Sequence, residues 1–153
     1  MQSAQSPQEY FRLMLITVVG QAFTAAGYTL EDSPAIWAGG LFRFRKPLSA
    51  PLYACIEFQY LYYIESRPSL FRVHLIRTDQ LNPGVPSTHP RAARKLLSEL
   101  VVRDFGVAIL PSADHWWSCR DVTEMGRALG EAGSLAVGYG MPWLDGTLTP
   151  PVS

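Results

Sequence analysis

Between Leu52 and Glu65 the chain reads Leu-Tyr-Ala-Cys-Ile-Glu-Phe-Gln-Tyr-Leu-Tyr-Tyr-Ile-Glu, and its side chains sort by parity. Leu52, Ala54, Ile56, Phe58, Tyr60, Tyr62 and Ile64 share one parity; Tyr53, Cys55, Glu57, Gln59, Leu61, Tyr63 and Glu65 share the other. Successive side chains of a strand point to opposite faces, so the first set makes a continuous apolar face and the second a mixed one. The aromatic content suits a pleated, half-buried surface. The segment is read as the central strand of an antiparallel sheet that helices cover on one side only.

The flanking residues supply partners for it. Ile36 to Lys46 reads as the preceding strand, with Phe42 and Phe44 on one face and Arg43 and Arg45 on the other; Gly39-Gly40 marks a bulge or a close backbone approach. Pro47 cannot donate to the ladder, so Pro47 to Pro51 forms the turn. Pairing Lys46 with Leu52 then sets Phe44 opposite Ala54 and Phe42 opposite Ile56, and a one-residue slip would break the match of apolar faces. A second turn at Ser66-Arg67-Pro68-Ser69 pairs Glu65 with Leu70, Ile64 with Phe71 and Tyr62 with Val73.

Ser6-Pro7-Gln8-Glu9 carries three agreeing helix-start signals: a Ser cap, Pro at the first helical position and a Glu that closes a capping box. The helix is expected to run to about Ala26, with Gly27 as its left-handed stop. Phe11, Met14, Leu15, Val18, Ala22 and Ala26 form the apolar stripe, and Leu13, Ile16 and Val19 widen it into a well-buried helix. Beyond the Leu81 to Ser87 loop, Thr88 caps a second helix expected to end near Phe105 at Gly106, with Ala93, Leu96, Leu97, Leu100 and Val101 inward and Arg91, Arg94, Lys95 and Arg103 outward. Val107 to Leu110 and His115 to Cys119 read as short extended pieces of one more hairpin. Asp121-Val122-Thr123-Glu124 opens a third helix through about Val137, and the Gly/Pro-rich tail to Ser153 is expected to fray after Leu144. The order αβββαββα defines one α+β domain over residues 1–153, a two-layer sandwich of an antiparallel β-meander with helices on one face.

The 153 residues carry 13 basic and 13 acidic side chains, so no global field draws the chain to nucleic acid or to anionic lipid. The apolar run Leu13 to Val19 is too short for a bilayer, which takes about 20 residues, and Glu9 and Arg12 do not make the basic start of a signal peptide. Cys55 and Cys119 have neither a disulfide framework nor zinc spacing, and read as buried thiols of a cytoplasmic protein. His74, His89 and His115 show no metal-site spacing, so neither metal nor cofactor is expected. His115 and Cys119 can be imagined as base and nucleophile, but no neighbouring charge in the sequence activates the thiol.

The outer face of the meander is the candidate surface. Arg43, Arg45, Tyr53, Cys55, Glu57, Gln59, Tyr63, Arg72 and His74 share it. Three readings stand: a solvated polar face, a protein-interaction face, or a site that holds an anionic ligand between arginines. Of Trp116-Trp117, one should enter the core and the other lie near the surface. Gly126, Gly130, Gly133 and Gly138 do not follow a strand in the dinucleotide-binding pattern; tight packing is the first reading and self-association as a homodimer the second.

His115-Trp116-Trp117, Asp121-x-x-Glu124 and Gly140-Met141-Pro142-Trp143-Leu144 together resemble the end of an uncharacterised bacterial domain-of-unknown-function family. In that family a strand with paired tryptophans leads into a helix that closes on a Gly-x-Pro-aromatic-Leu tail. The resemblance lends no activity and no functional residues. The element order is also similar to that of small secretion-chaperone-like domains, which bind protein segments and often dimerise. With an aromatic, mixed-charge face and no catalytic constellation, the sequence points to a non-enzymatic protein-binding module, immunity- or chaperone-like; the alternative is a small anionic-ligand-binding or enzymatic domain that uses Arg43, Arg45, Glu57, Arg72 and His74.

Overall fold

The structure, a computed structural model, describes residues 5–64 and 66–151; the expectations for Glu65 and for the last two residues of the tail lie outside them. Helix α1, Pro7–Ala25, starts as its sequence dictates: Pro7 takes the first position and Ser6 Oγ accepts the Glu9 N–H at 3.1 Å. It ends where Gly27 turns left-handed at φ 95°. The buried stripe is narrower than expected. It consists of Phe11, Leu15, Val19 and Phe23, one side chain per turn, while Leu13, Ile16 and Val18 are exposed at 51%, 40% and 37%.

After the two-residue strand β1, Thr29–Leu30, the segment expected to begin a strand at Ile36 instead forms the short helix α2, Pro34–Trp37. Ser33 and Pro34 explain the difference, because the Ser33 carbonyl accepts the Ile36 and Trp37 amides and Pro34 fixes the first helical φ. Gly40 then reverses the chain at φ 92°; its carbonyl accepts the Tyr60 N–H at 2.8 Å, and a Cβ there would collide with the Tyr60 carbonyl oxygen. This is the close backbone approach that Gly39-Gly40 suggested.

Strands β2, Leu41–Pro47, β3, Tyr53–Leu61, and β4, Ser69–Thr78, form the antiparallel meander, with β1 on its β2 edge. The registers differ from expectation by even steps. Phe44 faces Ile56 rather than Ala54, and Phe42 faces Phe58 rather than Ile56. Tyr60 faces Phe71, and Phe58 takes the place opposite Val73 that was expected for Tyr62. Because an even slip leaves every side chain on its own face, the apolar pattern constrains parity and leaves the turns to choose among even offsets. The first turn closes through Leu48 N–H to the Leu52 carbonyl, 3.0 Å, one residue later than expected. Strand β3 stops at Leu61, so Tyr62 and Ile64 are not on the apolar face; they are 49% and 94% exposed.

The expected second helix is the largest revision. Ala93–Leu96 is strand β5, paired with the C-terminal half of β4, and the helical stretch is confined to residues 97–104, of which Glu99–Asp104 is π-helical, before left-handed Gly106. Helix-favouring Arg94 and Lys95 are overridden because the open edge of β4 presents backbone groups that need partners. Strand β6, Trp117–Cys119, covers the other half of the same edge, and Val107 to Leu110 forms no strand to pair with it.

Helix α3, Val122–Leu135, opens on Asp121, whose carboxylate accepts the Glu124 N–H at 2.8 Å. A π-helical segment, Ala136–Gly140, carries it past Val137 into helix α4, Met141–Asp145, which stops at left-handed Gly146. Just beyond Leu144 the Thr147 and Leu148 amides bond the Pro142 carbonyl. Arg77 donates to the carbonyls of Trp143 and Leu144 at 3.2 and 3.1 Å and so closes the end of α4.

The result is an α+β sandwich of a six-stranded antiparallel sheet with helices over one face. Phe11 meets Phe42, Tyr60 and Phe71 with ring centroids 5.1, 4.2 and 5.6 Å apart, Phe23 meets Phe44 at 4.7 Å, and Trp117 stacks on Phe71 at 5.3 Å. Gly133 of α3 lets Val19 approach so closely that a Cβ would touch it at 2.8 Å. We expect Gly40→Ala to destabilise the fold by about 2–4 kcal/mol, through left-handed strain and the backbone collision. Gly130→Ala, with open space at its Cβ, should instead stabilise by up to about 1 kcal/mol. Urea titrations of the two variants against the parent check both signs.

Candidate functional site

Each strand of the meander has its second face, and antiparallel pairing lines those residues into rows. Arg43 pairs with Glu57, and Glu57 with His74. Arg45 pairs with Cys55, and Cys55 with Ile76; Gln59 pairs with Arg72, and Tyr53 with Thr78. Of the nine residues expected on this surface, eight are brought together on it. Tyr63 is not, because β3 ends before it; it lies in the β3–β4 connection with the Arg67 guanidinium 4.2 Å over its ring. Three contributors were not foreseen: Glu31, which β1 carries up beside β2; Arg94 on β5; and Trp116, which precedes β6. The alternation of Trp116 and Trp117 was the available signal, because Trp117 enters the core and its neighbour must face the other way.

The face is held by a chain of charge and hydrogen bonds. Arg43 Nε donates to Glu57 Oε2 at 2.8 Å, and both side chains are almost fully buried at 7% and 4% exposure. Arg45 donates to Glu31 at 3.2 Å and its guanidinium lies 4.9 Å over the Tyr53 ring. The Tyr53 hydroxyl donates to the Gln80 carbonyl, which fastens the loop after β4 to this end of the sheet. Gln59 Oε1 accepts from Arg72 Nε at 2.9 Å and lies 3.0 Å from His74 Nε2. An amide oxygen only accepts, so the network assigns the proton of His74 to Nε2. The Arg72 guanidinium stacks 4.4 Å over Trp116.

Burial pushes His74 down from an ordinary 6.5 to about 4; Glu57 across the strand opposes that shift, and Arg94 and Arg72 add to it. His74 is therefore neutral near pH 7. Burial likewise raises the Cys55 thiol to about 12, with Glu57 adding to the rise, and the Cys119 thiol to about 11. Neither is a thiolate near neutral pH, and His115 is held edge-on against Trp117 at 4.8 Å, so a Cys–His nucleophile finds no activation here. Among the described residues no group of three or more His, Cys, Asp or Glu side chains is placed to hold a metal ion. No described helix is long and apolar enough to cross a membrane.

Chemically, the face offers fixed side chains rather than free ones. Arg43, Arg45 and Arg72 each spend their Nε–H on Glu57, Glu31 and Gln59, which fixes the guanidinium groups; Arg43 and Arg45 are matched to carboxylates, whereas Arg72 is held by a neutral amide and keeps its charge. What is presented to a visitor is a flat set of half-buried Trp116, Arg72, His74, Gln59 and Tyr53. No protein-family model, curated protein or solved structure matches the chain.

Two outcomes follow from this geometry. Glu57→Ala leaves the Arg43 charge buried and unpaired and should cost about 3–5 kcal/mol, whereas the double variant Arg43→Met with Glu57→Leu should cost less than either single truncation, as urea titration would show. The folded-state pKa of His74 lies below its unfolded value, so the unfolded chain takes up the proton first as pH falls. The stability that neutral His74 contributes is thus full above about pH 6.5 and lost as pH falls toward about 4. The difference in stability between the parent and His74→Gln, measured across that range, should shift in the variant's favour as pH falls.

Proposed function

We propose that the chain is a non-enzymatic protein-binding module of the bacterial cytoplasm, immunity- or chaperone-like, whose contact surface is the outer face of the sheet. The observation that carries this reading is the Gln59–Arg72–Trp116 stack. A tryptophan and an arginine are the side chains that most often dominate protein interfaces, and here they are held in one conformation by a hydrogen bond to Gln59 and by stacking. A surface whose rotamers are already fixed loses little entropy on docking. Tyr53 and Arg45 extend the same kind of surface along the sheet, and the buried Arg43–Glu57 pair holds the strands beneath it in register. The cytoplasmic assignment draws on two buried, unpaired thiols.

The test is capture from the host lysate followed by titration of the captured protein. One stoichiometric partner is expected, with its affinity reduced about 30-fold or more by Trp116→Ala and by Arg72→Ala, and unchanged by Val137→Ser at an exposed position in the helical layer. A partner retained at full affinity by both face variants would reject the surface, and stabilisation of the chain by phosphate or carboxylate ligands instead of a partner would favour the anion-binding alternative.

A further inference from the structure

Helix α1 is apolar on more sides than its own core uses. From Leu13 to Leu30 the chain carries no charged residue and no histidine. On the side of α1 that faces away from the sheet, Leu13, Ile16, Thr17, Gln21 and Thr24 are exposed and Gly20 is half-buried. Residues 13, 16, 17, 20 and 24 share one helical face by their spacing, so they form a single ridge along the helix. The ridge is graded: its large side chains, Leu13 and Ile16, lie toward the N-terminus, and its small ones, Gly20 and Thr24, toward the C-terminus. Beside the small end runs a groove of about 620 Å³ between α1 and the sheet edge, lined by Ile16, Gly20, Thr24, Leu30 and Phe44 among others. At Gly20 a Cβ would meet only the Ile16 side chain of the same helix, at 3.5 Å, so nothing else fills that space.

We propose that a second copy of this chain occupies the groove, with the two α1 helices antiparallel about a two-fold axis that passes opposite Val18 and Val19. That axis places residues whose numbers sum to 37 opposite one another. Leu13 of each copy then meets Thr24 of the other and Thr17 crosses Gly20, where the missing side chain allows close approach, while Ile16 flanks the contact on the groove side. Large ends fill small ends twice over, which is the self-complementarity that an isologous contact requires. From Leu13 onward the helix is uncharged, and Arg12 at the end of the groove is paired with Asp32 of its own chain at 3.4 Å, so two identical molecules can share the ridge without like-charge repulsion.

The ends of the ridge complete the match electrostatically. Glu9 is exposed and Lys46 half-buried, and neither has an ion-pair partner among the described residues. Lys46 lies over Tyr28, with its Nζ 5.7 Å from the ring centre, and its stem packs at Gly27. Glu9 is opposite the turn at Gly27 and Tyr28 that follows the helix, about the same axis. At about 1.5 Å per residue Glu9 lies about 14 Å from the axis, and Lys46 stands beside the Gly27 turn that ends the other half of the helix. Glu9 of each copy therefore reaches Lys46 of the other, at both rims. The sheet's outer face remains on the far side of the sandwich, so this contact is independent of the surface proposed above.

The experiment is sedimentation equilibrium of the full chain from low to high micromolar concentration, with thermal unfolding of each variant to verify the fold. The parent is expected to show a reversible monomer–dimer equilibrium. Leu13→Glu, at an exposed position, should weaken it by more than about a hundred-fold by burying an unpaired carboxylate. Gly20→Leu should abolish it while the chain stays folded. Glu9→Lys and Lys46→Glu should each weaken the dimer about five-fold, and the double charge swap should restore it. An intramolecular role for these charges at the two ends of α1 would instead make the double variant worse than either single one. A parent that stays monomeric throughout, a dimer that survives both Leu13→Glu and Gly20→Leu, or a double swap that fails to recover would each overturn the proposal.

Discussion

The fit of the Phe11, Leu15, Val19 and Phe23 stripe into the aromatic inner face of the sheet is the constraint on which the rest of the structure depends. Phe42, Phe44, Phe58 and Phe71 line that face, and all eight side chains are essentially removed from solvent. Each such burial is worth roughly 1.5–3 kcal/mol, so this one contact surface contributes an amount comparable to or larger than the net stability of a whole domain, about 5–15 kcal/mol. It also decides where everything else must go. With one side chain per helical turn consumed by the core, Leu13, Ile16 and Val18 of α1 are left outside it. With the helices on the inner face, the outer face of the meander has to satisfy itself.

The outer face does so by pairing its own charges. Arg43 and Glu57 are buried together in the middle of the sheet, a costly arrangement that is stable only while both members are present. Such a pair adds little net energy but penalises misaligned strands heavily, because a slip would separate the charges in a poorly hydrated setting. Gln59 extends the logic one row along, bridging Arg72 and His74 through a single carbonyl oxygen. Burial then keeps His74 neutral near pH 7, which removes a positive charge from between Arg72 and Arg94. The result is a stiff surface on which Arg43 and Arg45 are matched to carboxylates and Arg72 is held by a neutral amide against Trp116, a fixed arrangement that supports the proposed docking of a complementary protein face.

Much of this was legible in the chain itself, and the failures are physical rather than accidental. Parity in Leu52 to Leu61 assigned every strand residue to its correct face, because a half-buried strand has only two faces. Register was not legible to better than an even slip, because an even slip costs nothing in the apolar pattern and is decided by turn geometry at Leu48–Leu52 and by the longer excursion after Leu61. Ala93 to Leu96 has helical composition and became a strand because β4 offered an open edge, a tertiary demand that no local window contains. Leu13, Ile16 and Val18 were read as core for the same reason: periodicity shows that a residue is apolar, not whether this molecule covers it. On the candidate face, eight of the nine residues followed from parity alone, while Glu31 and Arg94 depended on long-range pairing.

The two surfaces that remain have different characters, one of fixed charges and aromatics on the sheet, the other uncharged and graded in size on α1. Side-chain footprinting of the chain with and without its captured partner separates them most directly. The account predicts that the partner protects Trp116, His74 and Tyr53 and leaves the labelling of Leu13 and Ile16 unchanged. Protection of Leu13 and Ile16 by the partner, with Trp116 as reactive as in the free chain, would contradict it.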